Sequence, residues 1–187
     1  MSEYTAIADV TATLLNLIKD NTAGLLQQDR IIAASPADVS DDTLPLLSLF
    51  LYQVNENPHL KNDAMRETSA GALRYPPVSL QLYYLLTTYA TTRETEHQIM
   101  GRAIQILNDN AILRGSLLQG SLAATFEELV VVMHPVPLED MNRLWGMFPS
   151  KPYRLSVTYR VSTALIDSTR ERSADRVIQR ALNHAVP

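Results

Sequence analysis

The sequence predicts an α/β, or α+β, fold with a mixed or mainly antiparallel sheet of about four to six strands and two to four flanking helices. Residues 78–84 and 153–161 alternate apolar with polar side chains, the period of a strand that buries one face. Residues 7–18 repeat apolar side chains every three or four positions, the period of an amphipathic helix. Because 187 residues with 46% hydrophobic content suffice for one core, we expect a single domain over residues 1–187.

The first third of the chain supplies one helix and two strands. Ile31-Ile32 is typical of a brief strand, and a turn-rich acidic loop follows it. Residues 46–54 are nearly all apolar, which predicts an interior strand covered on both faces. The opening helix places five apolar side chains on one face: Ile7, Val10, Leu14, Leu17 and Ile18.

Residues 55–77 interrupt this pattern with asparagines, Gly71 and the pair Pro76-Pro77, and they include few large apolar side chains. Loops of this length inside a compact domain are uncommon, and those that occur are functional or disordered. We therefore predict a mobile loop over about residues 55–77 that contacts a partner. The alternative is a solvent-exposed loop that has no function.

The middle of the chain predicts a strand followed by a helix. The strand directs Val78, Leu80, Leu82 and Tyr84 inward. Thr91 and Glu94 have the spacing of a capping box, which satisfies the unpaired amides of a first helical turn. The helix ends at residues 108–110, whose side chains compete for backbone hydrogen bonds, and it buries Ile99, Met100, Ala103 and Leu107.

The second half continues with a strand and a helix. Residues 129–133 form a short apolar run, which predicts a central strand buried on both sides. Pro137 has the fixed φ favoured at the first helical position, and Gly146 is a candidate left-handed cap. The helix between them is predicted to direct Leu138, Met141 and Trp145 inward.

The last strand is predicted over residues 153–161, with a polar, partly charged outer face. Residues 173–185 then suggest a short terminal helix, which would be marginal unless it docks on a core or on another subunit. The inward face of the strand is formed by Tyr153, Leu155, Val157, Tyr159 and Val161.

The composition excludes several classes of protein. The formal charge of −4 divides into −6 over residues 1–72 and +2 over residues 73–187, so neither part is basic enough to indicate nucleic-acid binding. The absence of cysteine excludes disulfides and thiolate metal sites. The first residues do not resemble a signal peptide, and no apolar run has the length of a membrane span. We expect a protein that is made and stays soluble, and the absence of cysteine fits the cytosol.

No catalytic, cofactor-binding or metal-binding residues are predicted. The four histidines form no metal-ligand spacing, and the six glycines form neither a Walker loop nor a dinucleotide fingerprint. No serine occupies a Gly-x-Ser-x-Gly elbow. A small enzyme with a site assembled from distant residues stays open as an alternative.

Three segments, in order, resemble a known family. Tyr75-Pro76-Pro77-Val78 leads into Tyr83-Tyr84-Leu85-Leu86-Thr87, and residues 136–145 (VPLEDMNRLW) and 151–159 (KPYRLSVTY) follow. The chain resembles the cap, or tail-terminator, proteins of extracellular contractile injection systems such as antifeeding-prophage-like particles, which are related to contractile phage tails. The similarity covers about residues 5–167. Larger members continue with a further segment where this chain has an Arg-rich segment over about residues 168–187, so no role of that segment is carried over.

The resemblance implies a tail-terminator-like fold and a structural role. Such proteins form a hexameric ring on the distal end of the tube and sheath and end their polymerisation. The partners implied are further copies of the chain and the tube and sheath proteins. The resemblance also implies a protein that is made in the bacterial cytoplasm, assembled into the particle and released extracellularly with it. Another structural adaptor of the same particle, in the tube or the baseplate, is the main alternative.

Three surfaces are candidate interfaces. The first is Tyr75, Pro76 and Pro77 in the predicted loop, and the second is Trp145, Met147 and Phe148. The alternative for the second surface is that Trp145 belongs to the core, because a large aromatic side chain at helical spacing is usually buried. The third surface carries a small positive charge that favours an acidic sheath partner, with a solvated helix face as its alternative. It is formed by Arg170, Arg172, Arg176 and Arg180.

Overall fold

The computed structural model describes residues 4–22, 24–40, 44–60, 64–68, 71–125 and 127–173. Within these residues three α-helices occur: α1 (Ala6–Asn21), α2 (Arg93–Asp109) and α3 (Leu138–Trp145). The strands are β1 (Ile31–Ile32), β2 (Leu46–Glu56), β3 (Arg66–Glu67), β4 (Ala72–Arg74), β5 (Val78–Tyr89), β6 (Ile112–Leu113), β7 (Leu129–Met133), β8 (Ser156–Ile166) and β9 (Glu171–Ser173).

The strands form two sheets. The main sheet has the order β1-β2-β5-β8-β7-β6, and the small sheet has the order β3-β4-β9. Among the described strands, β1 pairs with β2 in parallel and the other pairs are antiparallel. The predicted fold class, a mainly antiparallel sheet of up to six strands with two to four helices, is confirmed.

Helices α1 and α2 cover one face of the main sheet, which we call the helix side. Leu80, Leu82, Tyr84 and Leu86 of β5 point to this side and join the larger core with apolar residues of both helices. The Tyr84 hydroxyl lies 2.9 Å from the Thr11 hydroxyl of α1. Burial raises the pKa of Tyr84 to about 12, although the hydrogen bond to Thr11 acts in the opposite direction. The predicted inward residues of α1 and β5 therefore meet, with Val78 as the exception.

Helix α3 covers part of the opposite face, which we call the open side. Leu85 points to this side because it lies between two helix-side residues of β5. It packs against Met141, Trp145 and Phe148 in a second, smaller core. The main sheet is therefore buried on both faces where α3 lies, whereas Val130 and Val132 at its β7 edge are exposed on the open side.

Two strands predicted to be buried on both faces are covered less completely. In β2 only Leu46 to Leu49 are buried, because β1 pairs with just two of its residues and α3 covers only its middle. In β7 only Leu129 and Val131 are buried, and Val130, Val132 and Met133 are exposed. An apolar run without alternation could not show which of its residues face solvent.

Strand β8 begins at Ser156 rather than at residue 153, so Tyr153 and Leu155 lie outside it and are exposed. The face predicted to be the polar outer one is partly buried. Ser156 is buried with its hydroxyl 3.0 Å from that of Thr87, and the buried Thr158 hydroxyl donates to the His134 carbonyl. The Ser156 hydroxyl also lies 3.0 Å from the Arg154 carbonyl.

The predicted helix starts need correction. Thr92, not Thr91, caps α2: its hydroxyl accepts a hydrogen bond from the Thr95 amide at 3.2 Å, so Glu94 is not at the capping-box position. The predicted end of this helix is confirmed, because the Asn110 side-chain amide donates to the Ile106 carbonyl at 2.8 Å. In α3, Pro137 is the N-cap residue rather than the first helical residue.

Two further expectations for α3 are wrong. Leu138 is 69% exposed and does not join the second core, although Met141 three residues later does. Gly146 has φ −60° and therefore no left-handed conformation. Its amide instead donates to the Asn142 carbonyl at 2.9 Å, which continues the helical hydrogen-bond pattern for one more residue.

The segment 55–77 is more ordered than the irregular loop predicted from sequence. It contains β3 and β4, and β9 from the far end of the described chain completes the small sheet. The mobility of this segment stays a prediction. The helix predicted over residues 173–185 lies outside the described residues, apart from Ser173, which is the last residue of β9.

Candidate functional site

The second core fixes the segment that follows α3. The Trp145 and Phe148 rings pack edge to face with centroids 5.8 Å apart, and Phe148 makes a similar contact with Phe50 at 5.9 Å. Trp145 is 5% and Phe148 6% exposed, whereas Met147 between them is 57% exposed. Of the three residues predicted as one interface, Met147 alone presents its side chain to solvent.

A buried carboxylate connects the chain after α3 to the start of α2. Glu96 accepts hydrogen bonds from Arg93 at 2.6 Å and from Arg154 at 2.7 Å, and its side chain is almost fully buried. The Arg154 guanidinium lies 5.3 Å from the centroid of the Tyr89 ring. Burial raises the pKa of Glu96, but Arg93, the Ala90 amide and Arg154 together lower it below its ordinary value.

The small sheet is joined by contacts between residues far apart in sequence. The Arg74 guanidinium donates to Glu171 Oε1 at 2.6 Å through Nη2 and at 3.1 Å through Nε. The Arg170 guanidinium lies 4.5 Å from the centroid of the Tyr75 ring, and the Tyr75 amide donates to the Arg170 carbonyl at 3.2 Å. Two of the predicted interface residues, Tyr75 and Arg170, therefore contact each other.

The uncovered open side presents an apolar strip at one edge of the main sheet. Ile112 of β6 pairs with Val130 of β7, and the two side chains are 54% and 36% exposed. Val132, two residues further along β7, is 42% exposed on the same face. We call Ile112, Val130 and Val132 the open-side patch. Sequence analysis missed it because residues 129–133 were predicted to be buried on both faces.

A groove of about 510 Å³ lies between α3 and β2. Its titratable lining includes His134, whose ring packs against Tyr83 with centroids 5.2 Å apart. Arg143 in the same groove pairs with Asp140 at 3.4 Å and with Glu139 at 2.7 Å. Among the described residues, no group of three or more acidic or histidine side chains has the arrangement of a metal site.

The family described as Pvc16 N-terminal domain matches residues 9–180 of this chain, which is most of its length. The chain belongs to the Pvc16 N-terminal domain family. The resemblance predicted from the sequence, to cap or tail-terminator proteins of contractile injection systems, is confirmed by this match and by two solved structures. No curated protein matches the chain.

The two solved structures share the fold of this Pvc16 N-terminal domain. One is the sheath/tube terminator of an extracellular contractile injection system, PVC, in its extended state, with a TM-score of 0.69 and 20% sequence identity. The alignment covers 100% of this chain and 66% of that one. The other is the tube terminating cap of the anti-feeding prophage, with a TM-score of 0.63 and 20% identity over 96% of this chain and 61% of that one. This chain spans slightly less than two thirds of the length of either structure.

The remaining interface candidates of this Pvc16 N-terminal domain have different positions. Pro76 and Pro77 are half-buried and connect the small sheet to β5. Arg172 is exposed in β9, opposite Leu73 of β4. Arg176 and Arg180 lie outside the described residues. No helix in the described part of the chain is both long and apolar enough to cross a membrane.

Proposed function

We propose that this chain is a structural cap, or tail terminator, of a contractile injection particle. It forms a ring, expected to be a hexamer, on the distal end of the tube and sheath and stops their polymerisation. The observation that carries the proposal is the family match over residues 9–180, together with a fold shared with two terminators. Residues 1–187 act in this proposal as one tail-terminator-like domain, made in the bacterial cytoplasm and incorporated into the particle.

The surface chemistry of the chain agrees with a role in assembly. Apolar side chains are exposed on uncovered parts of the main sheet, such as Ile112, Val130 and Val132. A closed ring built from one repeated contact presents different faces on its two sides. If only one of these faces binds tube and sheath subunits, addition of the ring ends growth.

Deletion of the gene, followed by electron microscopy of the particles, tests the role. A terminator is required to stop growth, so the deletion should give tubes of uncontrolled length or unstable tails, and the wild-type chain should restore a uniform length. An absence of any tube would instead indicate an adaptor or initiator in the tube or baseplate. Particles of normal length and stability would contradict the proposal.

A further inference from the structure

Strand β7 forms an edge of the main sheet over the last part of its length. The short strand β6 pairs with only its first two residues, Leu129 and Val130, and β7 continues to Met133. An exposed strand edge is a template for pairing with another chain, and soluble proteins commonly protect such edges with charged side chains. The side chains exposed here are apolar instead, since Val132 and Met133 are each 42% exposed.

The hydrogen bonds of β7 fix the direction in which its backbone groups point. In an antiparallel ladder the groups of successive residues point alternately to one neighbour and to the other. The His134 amide donates to the Thr158 carbonyl at 2.8 Å, on the side of β8. The Val131 amide donates to the Ala111 carbonyl at 2.8 Å, on the side of β6. Met133, two residues after Val131, therefore directs its amide and carbonyl away from β8, and no backbone group of the described residues pairs with either.

A pocket of about 300 Å³ lies beside this unpaired edge, between β7 and the last turns of α2. Its walls are mainly apolar and include Ile104 and Leu107 of α2 and Val131 and Met133 of β7. Tyr159 also lines the pocket, and burial raises its pKa to about 12. Although Tyr159 is only 4% exposed, its hydroxyl makes no hydrogen bond within the part of the chain that the structure describes. The pocket therefore suits one large apolar side chain and offers it a polar group without a partner.

The rim of the pocket next to α2 is acidic. Asp109, the last residue of α2, is exposed and forms no ion pair within the described residues. It lies at the negative end of the helix dipole, and the last turn of the helix carries no basic residue. The basic side chains nearest in the fold are engaged or face elsewhere: Arg102 donates to a carbonyl at the end of α1, Arg114 pairs with Glu128 at 3.2 Å, and Arg160 lies on the open side of the sheet. The rim therefore favours a basic side chain of a partner.

We infer that the free edge of β7 receives an extended segment of another protein of the particle, added to the main sheet as a further strand. The segment pairs its backbone with Met133, inserts one large apolar side chain into the pocket beside Tyr159, and places a basic side chain near Asp109. In such strand addition the main-chain hydrogen bonds supply affinity, and the side-chain pocket supplies specificity. The inference rests on the proposed function, because the particle supplies the partner.

Photo-cross-linking on purified particles tests the contact. The photoreactive residue p-benzoylphenylalanine replaces Asn108, which is exposed and lines the pocket, in a strain without the wild-type chain. After illumination, mass spectrometry of the linked peptides should identify one short segment of another particle protein, with a large apolar and a basic residue close together. The matched control carries the photoreactive residue in place of Leu138, which is exposed on α3, and should not link to that segment.

Three results would overturn the inference. Cross-links from position 108 to a second copy of this chain would make the edge a contact between copies. Cross-links to residues 174–187 would mean that the chain covers the edge itself. Assembled particles without any cross-link from position 108 would show that no segment occupies the pocket.

A pair of variants tests the backbone pairing. Met133→Pro and Met133→Ala both remove the exposed side chain, but only Met133→Pro removes the outward amide. The yield of the cross-link from position 108 should therefore be lower in Met133→Pro than in Met133→Ala, with thermal unfolding of both variants measured alongside. Equal yields would contradict the addition of a strand at this edge.

A charge reversal tests the rim without altering the edge. Asp109→Lys should lower the yield of the cross-link about tenfold, because it would repel the basic side chain of the partner. Asp20→Lys makes the same exchange at an exposed position near the end of α1 and should leave the yield unchanged. Equal yields for these two variants would contradict the basic partner. The cap function is judged independently by tube length in the deletion strain, so normal capping without the cross-link refutes the contact alone.

Discussion

The carboxylate of Asp9 in α1 accepts two hydrogen bonds from Ser121, one from its backbone amide at 3.0 Å and one from its hydroxyl at 2.6 Å. The Thr5 hydroxyl donates to the same oxygen at 2.9 Å. These contacts attach the segment before β7 to the first helix, and Gly120 lies directly beside them. Burial raises the pKa of Asp9, but the hydrogen bonds from Ser121 and Thr5 outweigh it and lower that pKa overall.

Gly120→Ala should destabilise the fold. Gly120 has φ +58°, and a Cβ added there would lie 2.1 Å from Asp9 Oδ1. The left-handed conformation and the displacement of Asp9 should together lower the free energy of unfolding by about 1–3 kcal/mol, measured by urea denaturation. The control is Gly101→Ala in the middle of α2, where the new methyl meets no atom within 4 Å and should stabilise by roughly 0.5–1 kcal/mol. Equal midpoints for the Gly120 variant and wild type would contradict the prediction.

Glu96→Gln should reduce stability at neutral pH by about 1–3 kcal/mol, because the charged hydrogen bonds to Arg93 and Arg154 are lost. The ordinary carboxyl pKa is 4.5, and the folded value lies below it. The stabilisation is therefore complete above the unfolded pKa and is lost as the pH falls through the folded one. Urea midpoints from pH 7 to pH 3 should show wild type and variant converging in acid.

The control for this prediction is Glu94→Gln, which alters an exposed carboxylate in the same turn of α2. This variant should follow the wild-type curve at every pH more closely than Glu96→Gln does. A constant difference between wild type and Glu96→Gln across the whole pH range would show that the carboxylate charge is not responsible.

Trp145→Ala should act on stability rather than directly on assembly. It removes the largest side chain of the second core, and thermal or urea unfolding should show a loss of about 3–5 kcal/mol. Trp145→Phe should cost less, because the indole Nε1 makes no hydrogen bond within the described residues and has none to lose. Met147→Ala, at an exposed position, should change stability by no more than about 0.5 kcal/mol. A destabilising effect of Met147→Ala as large as that of Trp145→Ala would contradict this assignment.

Tyr75→Ala should loosen the small sheet while leaving the main sheet intact. The contact between the Tyr75 ring and Arg170 is worth roughly 0.5–1 kcal/mol. Amide hydrogen exchange should accelerate in β4 and β9 and stay unchanged in β5 and β8. Tyr75→Phe keeps the aromatic face and should preserve protection. Faster exchange throughout the chain in Tyr75→Ala would indicate that the small sheet is not an independent unit.

Sequence reasoning located elements whose side chains repeat with a clear period. Alternation in β5 and the three- and four-residue spacing in α1 correctly placed most of their buried residues, because period and burial are directly linked. Residues 129–133 have no such period, so the sequence could not show which of their side chains are exposed. Their exposure depends on the position of α3, which packs on other strands. The left-handed cap expected at Gly146 failed for a different reason, since the helical turn continues for one residue more.

The small sheet could not be predicted from the local pattern of apolar and polar residues. Its strands have two or three residues each, too few to show a period. One of its pairs joins Arg74 to Glu171, which are 97 positions apart in the sequence. The predicted interface residues Tyr75 and Arg170 were chosen from separate segments, and their contact depends on this long-range pairing.

That separation along the chain also sets an order of events during translation. Strand β4 leaves the ribosome long before β9, and by the time Ser173 emerges every strand of the main sheet has already been synthesised. The small sheet therefore closes last, after the chain has had time to bury its central apolar residues.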